Sequence, residues 1–301
     1  MTLIDSLKAY EEGLRKASEI IVETSPDYII APMMGAVPFI DVMHILNDSF
    51  DPEKVYYMPA SSHIADVSGI MKNWMKNFLK KNVTPEKPVI LVSIDEVVSG
   101  NSAVRVSRSI DEAINQRNKE LVSIVLQTFN VTDNDAFEGA ANYLNQLTDS
   151  KNYDFFSQLI TDKRDGVFQK DMPTLRTSRN LLTSLVRDYF ENHIRCVGLG
   201  IEDSKATDRR NKEYKELIET KRMVPVPVKT ILTMDHPKLC PAVYKQIADK
   251  GHVRFSPEVD RFEVSQEYII FLQNIAKIAG RNPNLVAPIN MGRILESSDY
   301  L

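Results

Sequence analysis

Two adjacent acids, Asp95 and Glu96, are the residues whose types and position best suit chemistry in this chain. The apolar run at residues 89–94 predicts a buried β-strand that ends at these acids. A loop of small residues, 99–102, then leads into a predicted helix, so its N–H groups and the helix N-terminus can hold a phosphate. Ligands of open α/β sheets bind at such strand ends. The stretch therefore predicts a site for a phosphorylated sugar.

The side chains of this stretch have separate expected tasks. The carboxylates can hold a metal ion or sugar hydroxyls, while the hydroxyls of Ser99 and Ser102 can donate to phosphate oxygens. Gly100 allows a close backbone approach or a positive φ. Successive strand residues face opposite sides, so both acids can reach one ligand only where the strand is ending. The alternative interpretation is a solvated pair of carboxylates.

A second loop of the same kind follows an earlier strand. Residues 27–31 predict a buried strand and residues 39–46 a helix, with Met34, Gly35 and Ala36 between them. The backbone N–H groups of Gly35 and Ala36, with the helix that follows, could bind an anion. A simple strand-to-helix turn is the alternative, and the sequence does not separate the two.

Two further groups have weaker signals. Ser62 and His63 follow a strand predicted at 54–58, and a lone histidine in such a loop is more often a surface or packed residue than a catalyst. Asp203 or Ser204 is interpreted as the N-cap of a charged helix at 205–222, in preference to a further strand-end site. A helix face beyond His63 could supply positive charge to a ligand or could simply be solvated; its lysines are Lys72, Lys76, Lys80 and Lys81.

The strand end and loop at residues 94–103 resemble the phosphate-sugar loop of the type I phosphoribosyltransferases. The resemblance implies that Asp95 and Glu96 are the catalytic pair, holding the ribose hydroxyls and Mg²⁺. It also implies that the pyrophosphate of phosphoribosyl pyrophosphate faces Met34 and Gly35, with Ser62 nearby. The loop expected to bind the 5′-phosphate comprises Ser99, Gly100, Asn101, Ser102 and Ala103.

The sequence departs from the family pattern at several points. Glu96 stands in the place of the commoner second Asp, and Asn101 stands where a second Gly is common. The loop is shorter than usual, and Met33 and Met34 occupy positions where the family often carries a basic residue. These differences favour, as an alternative, a non-catalytic relative that senses a phosphorylated sugar or a nucleotide.

Strands that alternate with helices predict an α/β fold with a doubly wound, mainly parallel sheet. We expect a phosphoribosyltransferase-like core at 1–130, a helical insertion or hood at 131–193, and a mixed α/β region at 194–301 that could complete the core. An apolar strand is predicted at 121–128 and a helix at 237–248. Two prolines in residues 224–228 exclude an ordinary central strand there.

Composition limits the class of protein. The chain has 301 residues, 43% hydrophobic and 26% charged, with a net charge of −4 that gives no reason to expect nucleic-acid binding. Cys196 and Cys240 form no Cys-x-x-Cys pair, so a disulfide or zinc framework is not expected and a reducing cytoplasm fits best. No run reaches the ~20 apolar residues of a membrane span, and residues 3–21 lack the apolar core of a signal peptide.

Three hypotheses of function follow. The first is an enzyme that joins a nitrogenous base to ribose 5-phosphate and releases pyrophosphate, with Mg²⁺. The second is the non-catalytic relative, whose C-terminal half would pass the signal to a partner protein. The third is an interaction scaffold without a phosphoribosyl ligand, because a fold does not determine a function. Homodimers are common in the resembling family. The sequence has no Gly-x-x-x-x-Gly-Lys-Ser/Thr loop and no Gly-x-Ser-x-Gly or His-Glu-x-x-His motif, which disfavours several other enzyme classes.

Overall fold

The structure is a computed structural model and describes residues 3–128, 183–184, 186–203, 208–228, 241–249, 252–289 and 291–301. Most of the predicted insertion at 131–193 lies outside the described residues, as do Ser204 and Cys240. The chain divides into two compact units. The larger unit consists of Met1–Phe78, Ile90–Ala113 and Arg195–Leu301, and the smaller of Leu79–Val89 and Ile114–Ile194.

The elements follow one another as alternating strands and helices along most of the described chain. The strands are β1 (Tyr28–Met33), β2 (Val55–Pro59), β3 (Val89–Val97), β4 (Ile194–Asp203), β5 (Met223–Val228), β6 (Ala242–Asp249) and β7 (His252–Glu263). The helices are α1 (Leu3–Thr24), α2 (Val37–Leu46), α3 (Val67–Asn82), α4 (Asn101–Thr128), α5 (Lys212–Glu219), α6 (Gln266–Ile278) and α7 (Met291–Leu295). In the described part of the chain no helix is long and apolar enough to cross a membrane.

Five strands form one sheet in the order β2-β1-β3-β4-β5. The pairs β1–β2, β1–β3 and β4–β5 are parallel, so the expected α/β architecture with a mostly parallel sheet is confirmed. The chain first moves from β1 to β2 on one side and then returns to β3 on the other. The strand order therefore reverses at β1, and the carboxyl ends of β1 and β3 flank the crevice where such sheets bind ligands.

The central strands are buried along almost their whole length. In β1 every residue after Tyr28 is buried, and β3 is nearly as enclosed, which is the pattern of parallel strands covered on both faces. By contrast, β5 lies at an edge of the sheet and contains Pro225 and Pro227. The expectation that residues 224–228 form no central strand is confirmed, because an edge tolerates missing backbone donors.

Helix α1 packs against α2, α6 and β5. A glycine in the middle of α1 permits this contact, because a Cβ on Gly13 would lie 2.5 Å from Cγ1 of Val228. Connections between parallel strands are right-handed, so the reversal at β1 assigns α2 to one face and α3, α4 and α5 to the other. The loops that enter α2 and α4 thus belong to opposite faces but begin at the same strand edge.

Two sequence predictions of secondary structure are wrong. Residues 121–128 are the end of α4 and not a strand, because Leu121 and Val125 are buried while Ile124 between them is 44% exposed. That spacing is helical, and a short apolar run does not by itself distinguish the two periods. The helix predicted at 237–248 is also wrong over its described part, because β6 pairs there with β7 as an antiparallel ribbon.

Helix α3 is fixed by residues from much later in the chain. Trp74 donates its indole N–H to the carbonyl oxygen of Ser297 at 2.7 Å, and the side-chain amide of Asn77 donates to the carbonyl oxygen of Tyr300 at 3.0 Å. The rings of Trp74, Phe78 and Tyr300 pack together. These contacts fix the position of α3, the helix that carries the predicted cationic residues Lys72, Lys76, Lys80 and Lys81.

The smaller unit has its own backbone contacts. The N–H of Val89 donates to the carbonyl oxygen of His193 at 2.8 Å, and the His193 ring lies 2.7 Å from the carbonyl oxygen of Thr84. Arg117 donates to the carbonyl oxygen of Val83 at 2.6 Å.

In the larger unit, Cys196 has a free thiol whose pKa burial raises to about 12. A thiol with so high a pKa is a poor nucleophile.

A buried carboxyl joins α2 to later segments of the larger unit. Asp41 is almost fully buried, and it accepts hydrogen bonds from the hydroxyl of Tyr268 and from the N–H of Ile289 at 2.9 Å. Burial raises the pKa of Asp41 to about 7, and the two hydrogen bonds only partly oppose that rise. The folded protein therefore holds this proton more tightly than the unfolded chain does.

We expect the stability that this carboxyl confers at low pH to be lost as the pH rises from about 4 through 7. In Asp41→Asn the free energy of unfolding should fall less between pH 5 and pH 8 than in the wild type, by roughly 2 kcal/mol. Urea unfolding at both pH values measures this difference. Glu12→Gln, which changes an exposed carboxyl of α1, is the control. An equal pH dependence in wild type and Asp41→Asn contradicts the expectation.

Candidate functional site

Three of the predicted loops start at one edge of the sheet. Because β1, β2 and β3 are parallel neighbours, the loops that follow them all leave from their carboxyl ends. Two of these loops adjoin at Gly35 and Glu96, where a Cβ added to Gly35 would lie 2.8 Å from Oε2 of Glu96. The loop after β1 and the acid pair of β3 therefore meet at the point where the strand order reverses.

Asp95 is a buried polar residue of the larger unit, with 7% of its surface exposed. Its Oδ1 accepts a hydrogen bond from the backbone N–H of Glu96 at 2.9 Å. Its Oδ2 is buried and has no hydrogen-bond partner among the described residues. Burial raises the pKa of Asp95 to about 7, although the hydroxyl of Ser102 and the charge of Arg105 lie near enough to lower it somewhat.

The pKa of Glu96 is also raised, for two reasons. Burial, and to a smaller extent the negative charge of neighbouring Asp95, together raise its pKa to about 7. Two partly buried carboxyls in sequence disfavour double ionisation unless a cation or several donors approach them. Perturbed pairs of this kind are found at functional sites more often than elsewhere, although structural networks also produce them.

The acid pair fits a magnesium ion of the kind that the resemblance implies. The unpartnered Oδ2 of Asp95 and the raised pKa of Glu96 both favour an approaching cation. In the described residues no group of three or more His, Cys, Asp or Glu side chains could enclose a metal. Mg²⁺ does not need such a cage, since it binds through one or two carboxylates together with ligand phosphates and water.

Gly100 makes the turn from β3 into α4. Its φ is +86°, a conformation that residues with a side chain rarely adopt. The N–H of Val104 donates to the carbonyl oxygen of Gly100 at 2.9 Å and closes the first turn of α4. In the described part of the chain, the N–H groups of Asn101, Ser102 and Ala103 have no backbone acceptor. These groups carry the positive end of the helix dipole, as predicted for a phosphate loop.

The start of α5 covers one side of this loop. The N–H of Asn211 donates to the carbonyl oxygen of Ser99 at 2.9 Å, and its side-chain amide donates to Oδ1 of Asn101 at 2.7 Å. The same Asn211 side chain caps α5 by accepting from the N–H of Tyr214 at 2.7 Å. One residue thus holds both the loop and the helix packed against it.

Tyr214 supports the loop from below. A Cβ on Gly100 would lie 2.5 Å from Cβ and Cγ of Tyr214, so the loop and the side chain are in close contact. The Tyr214 hydroxyl donates to Oε1 of buried Glu202 at 2.6 Å, and Glu202 forms an ion pair with Arg210. A side chain on Gly200 would collide with the Tyr214 hydroxyl, which accounts for a glycine within β4. Sequence reasoning missed Asn211 and Tyr214 as loop contacts.

Asp203 is not the N-cap of the helix that the structure describes in the charged stretch. Asp203 is the last residue of β4, and α5 begins at Lys212 with Asn211 as its cap. Within the described residues 208–222 of the predicted helix 205–222, the α-helix is limited to Lys212–Glu219. Glu202, near the end of β4, is buried and bonds to both Tyr214 and Arg210. Because Tyr214 contacts Gly100, the end of β4 supports the loop that follows β3.

The loop after β1 offers less than expected. The N–H of Ala36 donates to the carbonyl oxygen of Pro32 at 3.2 Å, so the anion-binding role predicted for it is wrong in this conformation. The N–H of Gly35 has no backbone acceptor among the described residues. The side chain of Met33 is buried, Met34 is half-buried, and the peptide bond between them is cis.

The loop after β2 is directed to another part of the larger unit. His63 accepts at its carbonyl oxygen from the N–H of Phe255 at 3.2 Å, and its Nδ1 lies 3.3 Å from the carbonyl oxygen of Val253. These bonds attach the exposed His63 to β7, which agrees with the interpretation of a surface or packed residue. Ser62 is exposed beside it, and no contact joins Ser62 to the acid pair in the described part of the chain.

Comparisons with known proteins do not extend this assignment: no protein-family model, curated protein or solved structure matches the chain. The likeness to the phosphoribosyltransferase loop stays a prediction from residues 94–103, and the site must be judged by its own geometry.

The close packing of Gly100 on Tyr214 has a measurable consequence. Gly100→Ala should lower the free energy of unfolding by about 2–4 kcal/mol, because it adds a collision to an unfavourable positive φ. The matched control is Gly280→Ala, which has a φ of +71° with nothing within 4 Å of the added Cβ. That variant should lose only about 1 kcal/mol. Equal losses in urea unfolding would show that the Tyr214 contact is not tight.

Proposed function

We propose that this protein binds a phosphoribosyl ligand, either phosphoribosyl pyrophosphate or a nucleotide, and with Mg²⁺ transfers phosphoribose to or from a nitrogenous base. The observation that carries the proposal is the position of Asp95 and Glu96. Both carboxyls have raised pKa values, and both stand at the strand reversal directly before the start of α4. The resemblance of residues 94–103 supplies the identity of the ligand.

The phosphate end of the ligand is assigned to the start of α4. Three N–H groups there, those of Asn101, Ser102 and Ala103, have no backbone acceptor in the described part of the chain. Hydrogen bonds from such groups, together with the helix dipole, stabilise a phosphate without requiring a lysine or arginine. Asn211 and Tyr214 hold the loop in this open form from the other side, so its shape does not depend on the ligand.

The sugar end is assigned to the two carboxyls. Ionised Asp95 and Glu96 accept hydrogen bonds from ribose hydroxyls, and the same oxygens would hold Mg²⁺. When bound, that ion supplies charge neutralisation for the pyrophosphate and orients it. Gly35 adjoins Glu96, and its N–H, which has no backbone acceptor among the described residues, can donate to an anion at the same edge.

The transfer itself breaks the bond between C1 of the ribose and the pyrophosphate oxygen, and the pyrophosphate keeps the electron pair. A bond then forms between C1 and a ring nitrogen of the base. The residues of this chain contribute mainly by holding both partners in line and by excluding water from the buried side of Asp95. The base is not identified by any described residue.

A non-catalytic binding protein is the second candidate. The observation that favours it is the pair Met33 and Met34, which offers no positive charge to a departing pyrophosphate. The bond from Asn211 to Ser99 also connects the loop directly to α5, which provides a route by which a bound ligand could act on a partner. Release of pyrophosphate with any purine, pyrimidine or pyridine base would reject this candidate.

Calorimetric titration of phosphoribosyl pyrophosphate, with and without Mg²⁺, tests the proposal. Asp95→Asn and Glu96→Gln should each weaken Mg²⁺-dependent binding by about tenfold or more, which corresponds to about 1.4 kcal/mol. The reason is that each removes a charge that faces the ribose and the ion. The melting temperature should not fall, because the substitutions remove buried charge.

Asp111→Asn is the matched control for that titration. Asp111 lies on α4, where it pairs with Arg222 away from the strand ends, so its loss should leave the affinity unchanged. Equal affinity in wild type and Asp95→Asn, or no binding to a folded wild type, would exclude the assignment of the ribose site.

The affinity should also depend on pH. Since burial places the pKa values of both acids at about 7, their ionised fraction rises between pH 6 and pH 8. We expect Mg²⁺-dependent binding to strengthen over that range by ~tenfold or more. The ligand's own phosphates also titrate, so the comparison is with Glu96→Gln, which should show a smaller rise. The same rise in both proteins would assign the pH dependence to the ligand alone.

A further inference from the structure

A polar groove opens on the outer side of α4, beside the candidate site. It has a volume of about 450 Å³ and lies between α3, the first turns of α4, and α5. Residues Asn101, Arg105 and Arg108 line it from α4, where their spacing puts them on one face of the helix. Ser68 and Lys72 line it from α3. The groove therefore collects three cationic side chains and several neutral donors.

Two of the three cations already have partners. Lys72 forms an ion pair with Glu112, and Arg108 forms one with Glu213. Both pairs stand at the rim, where their side chains are between 40% and 63% exposed. The charge of Lys72 lowers the pKa of Glu112, so this carboxyl stays ionised and the pair remains neutral as a whole.

Arg105 is different, because no carboxylate of the described chain forms an ion pair with it. Its Nε is closed to solvent and has no hydrogen-bond partner among the described residues. Its charge influences Asp95, but the buried Oδ2 of Asp95 is itself without a partner, so the two groups do not satisfy each other. With the rim pairs neutral, Arg105 leaves the groove with one unmatched positive charge. Guanidinium groups in this state bind oxyanions through several donors at once.

Neutral donors complete the arrangement. Asn101 accepts at Oδ1 from Asn211, which orients the Asn101 side chain and leaves its own amide N–H groups as donors. The Ser68 hydroxyl lies across the groove on α3. A tetrahedral oxyanion can accept from all of these, whereas the carboxylates of the two rim ion pairs repel a ligand placed nearer to them. The ligand position is therefore the Arg105 side of the groove.

We propose that this groove is a second anion site, which binds a dianionic phosphoryl group with Arg105 as its principal ligand. The phosphoryl group belongs to inorganic phosphate or to a phosphate ester, whose chemistry at the binding atoms is the same. The inference does not rest on the proposed ribose site, since it uses neither Asp95 nor Glu96 as a ligand. Asn101 is the first residue of α4 and belongs to the loop expected to bind the 5′-phosphate, so occupation of the groove acts next to that loop.

The test is calorimetric titration of the full chain with inorganic phosphate, pyrophosphate and ribose 5-phosphate in chloride buffer. Arg105→Gln should weaken binding of inorganic phosphate by at least about tenfold. Glu112→Gln should strengthen it several-fold, because it removes a repelling charge and frees Lys72. Inorganic phosphate binding as tight as that of ribose 5-phosphate indicates a site for the free ion, and tighter ester binding indicates a phosphorylated metabolite.

Two controls separate the outcomes. Arg281→Gln removes an equal charge from an exposed pair with Asp48 and should leave binding unchanged. Asp95→Asn should keep the Arg105-dependent phosphate binding even where it abolishes binding of phosphoribosyl pyrophosphate, so failure of one site is distinguishable from failure of the other. Equal weakening in Arg281→Gln and Arg105→Gln overturns the proposal. So does unchanged binding in Arg105→Gln, or the absence of phosphate binding to the folded wild type.

Discussion

The desolvation of two consecutive carboxyls at the end of β3 is the constraint on which the rest of the site depends. Asp95 is enclosed by the sheet and by α4, and Glu96 adjoins Gly35 of the neighbouring strand loop. Water cannot fully solvate either charge. Among the described residues, the backbone N–H of Glu96, the hydroxyl of Ser102 and the charge of Arg105 compensate Asp95 only in part. Keeping two desolvated carboxyls at a strand end lowers the free energy of unfolding below what the fold could reach. Such a loss of stability is common where a scaffold carries a binding site.

The surroundings of the acid pair are arranged to keep the next loop rigid. Asn211 bonds to the loop backbone and to Asn101, while Tyr214 fills the space below Gly100 and is anchored by Glu202. These contacts come from elements more than a hundred residues later in the chain. A loop supported in this way loses little entropy when a ligand binds, since its conformation is already fixed.

Part of this site could be predicted from the sequence because its signals are local. The apolar runs of β1 and β3, the acids and the small-residue loop lie within short stretches, and parallel strand ends share one edge. Asn211, Tyr214 and Arg105 could not be found in this way, since their importance comes from contacts that sequence spacing does not encode. The strand predicted at 121–128 is wrong because the local signal is ambiguous: five apolar residues in eight suit a strand as well as a helix. Burial of Leu121 and Val125, four residues apart, extends α4 through this stretch. The ribbon of β6 and β7 likewise depends on pairing between two segments and not on the propensity of either.

Trp74 is the only tryptophan in the sequence, and the structure encloses it completely. It stacks on Phe78 and donates a hydrogen bond to the Ser297 carbonyl oxygen. It also lies two residues along α3 from Lys72, which lines the polar groove. The chain thus contains a built-in optical reporter with a single indole ring. Its fluorescence emission depends both on the packing of residues 297–300 and on any movement of α3 along the groove. Both events can therefore be followed without an attached dye.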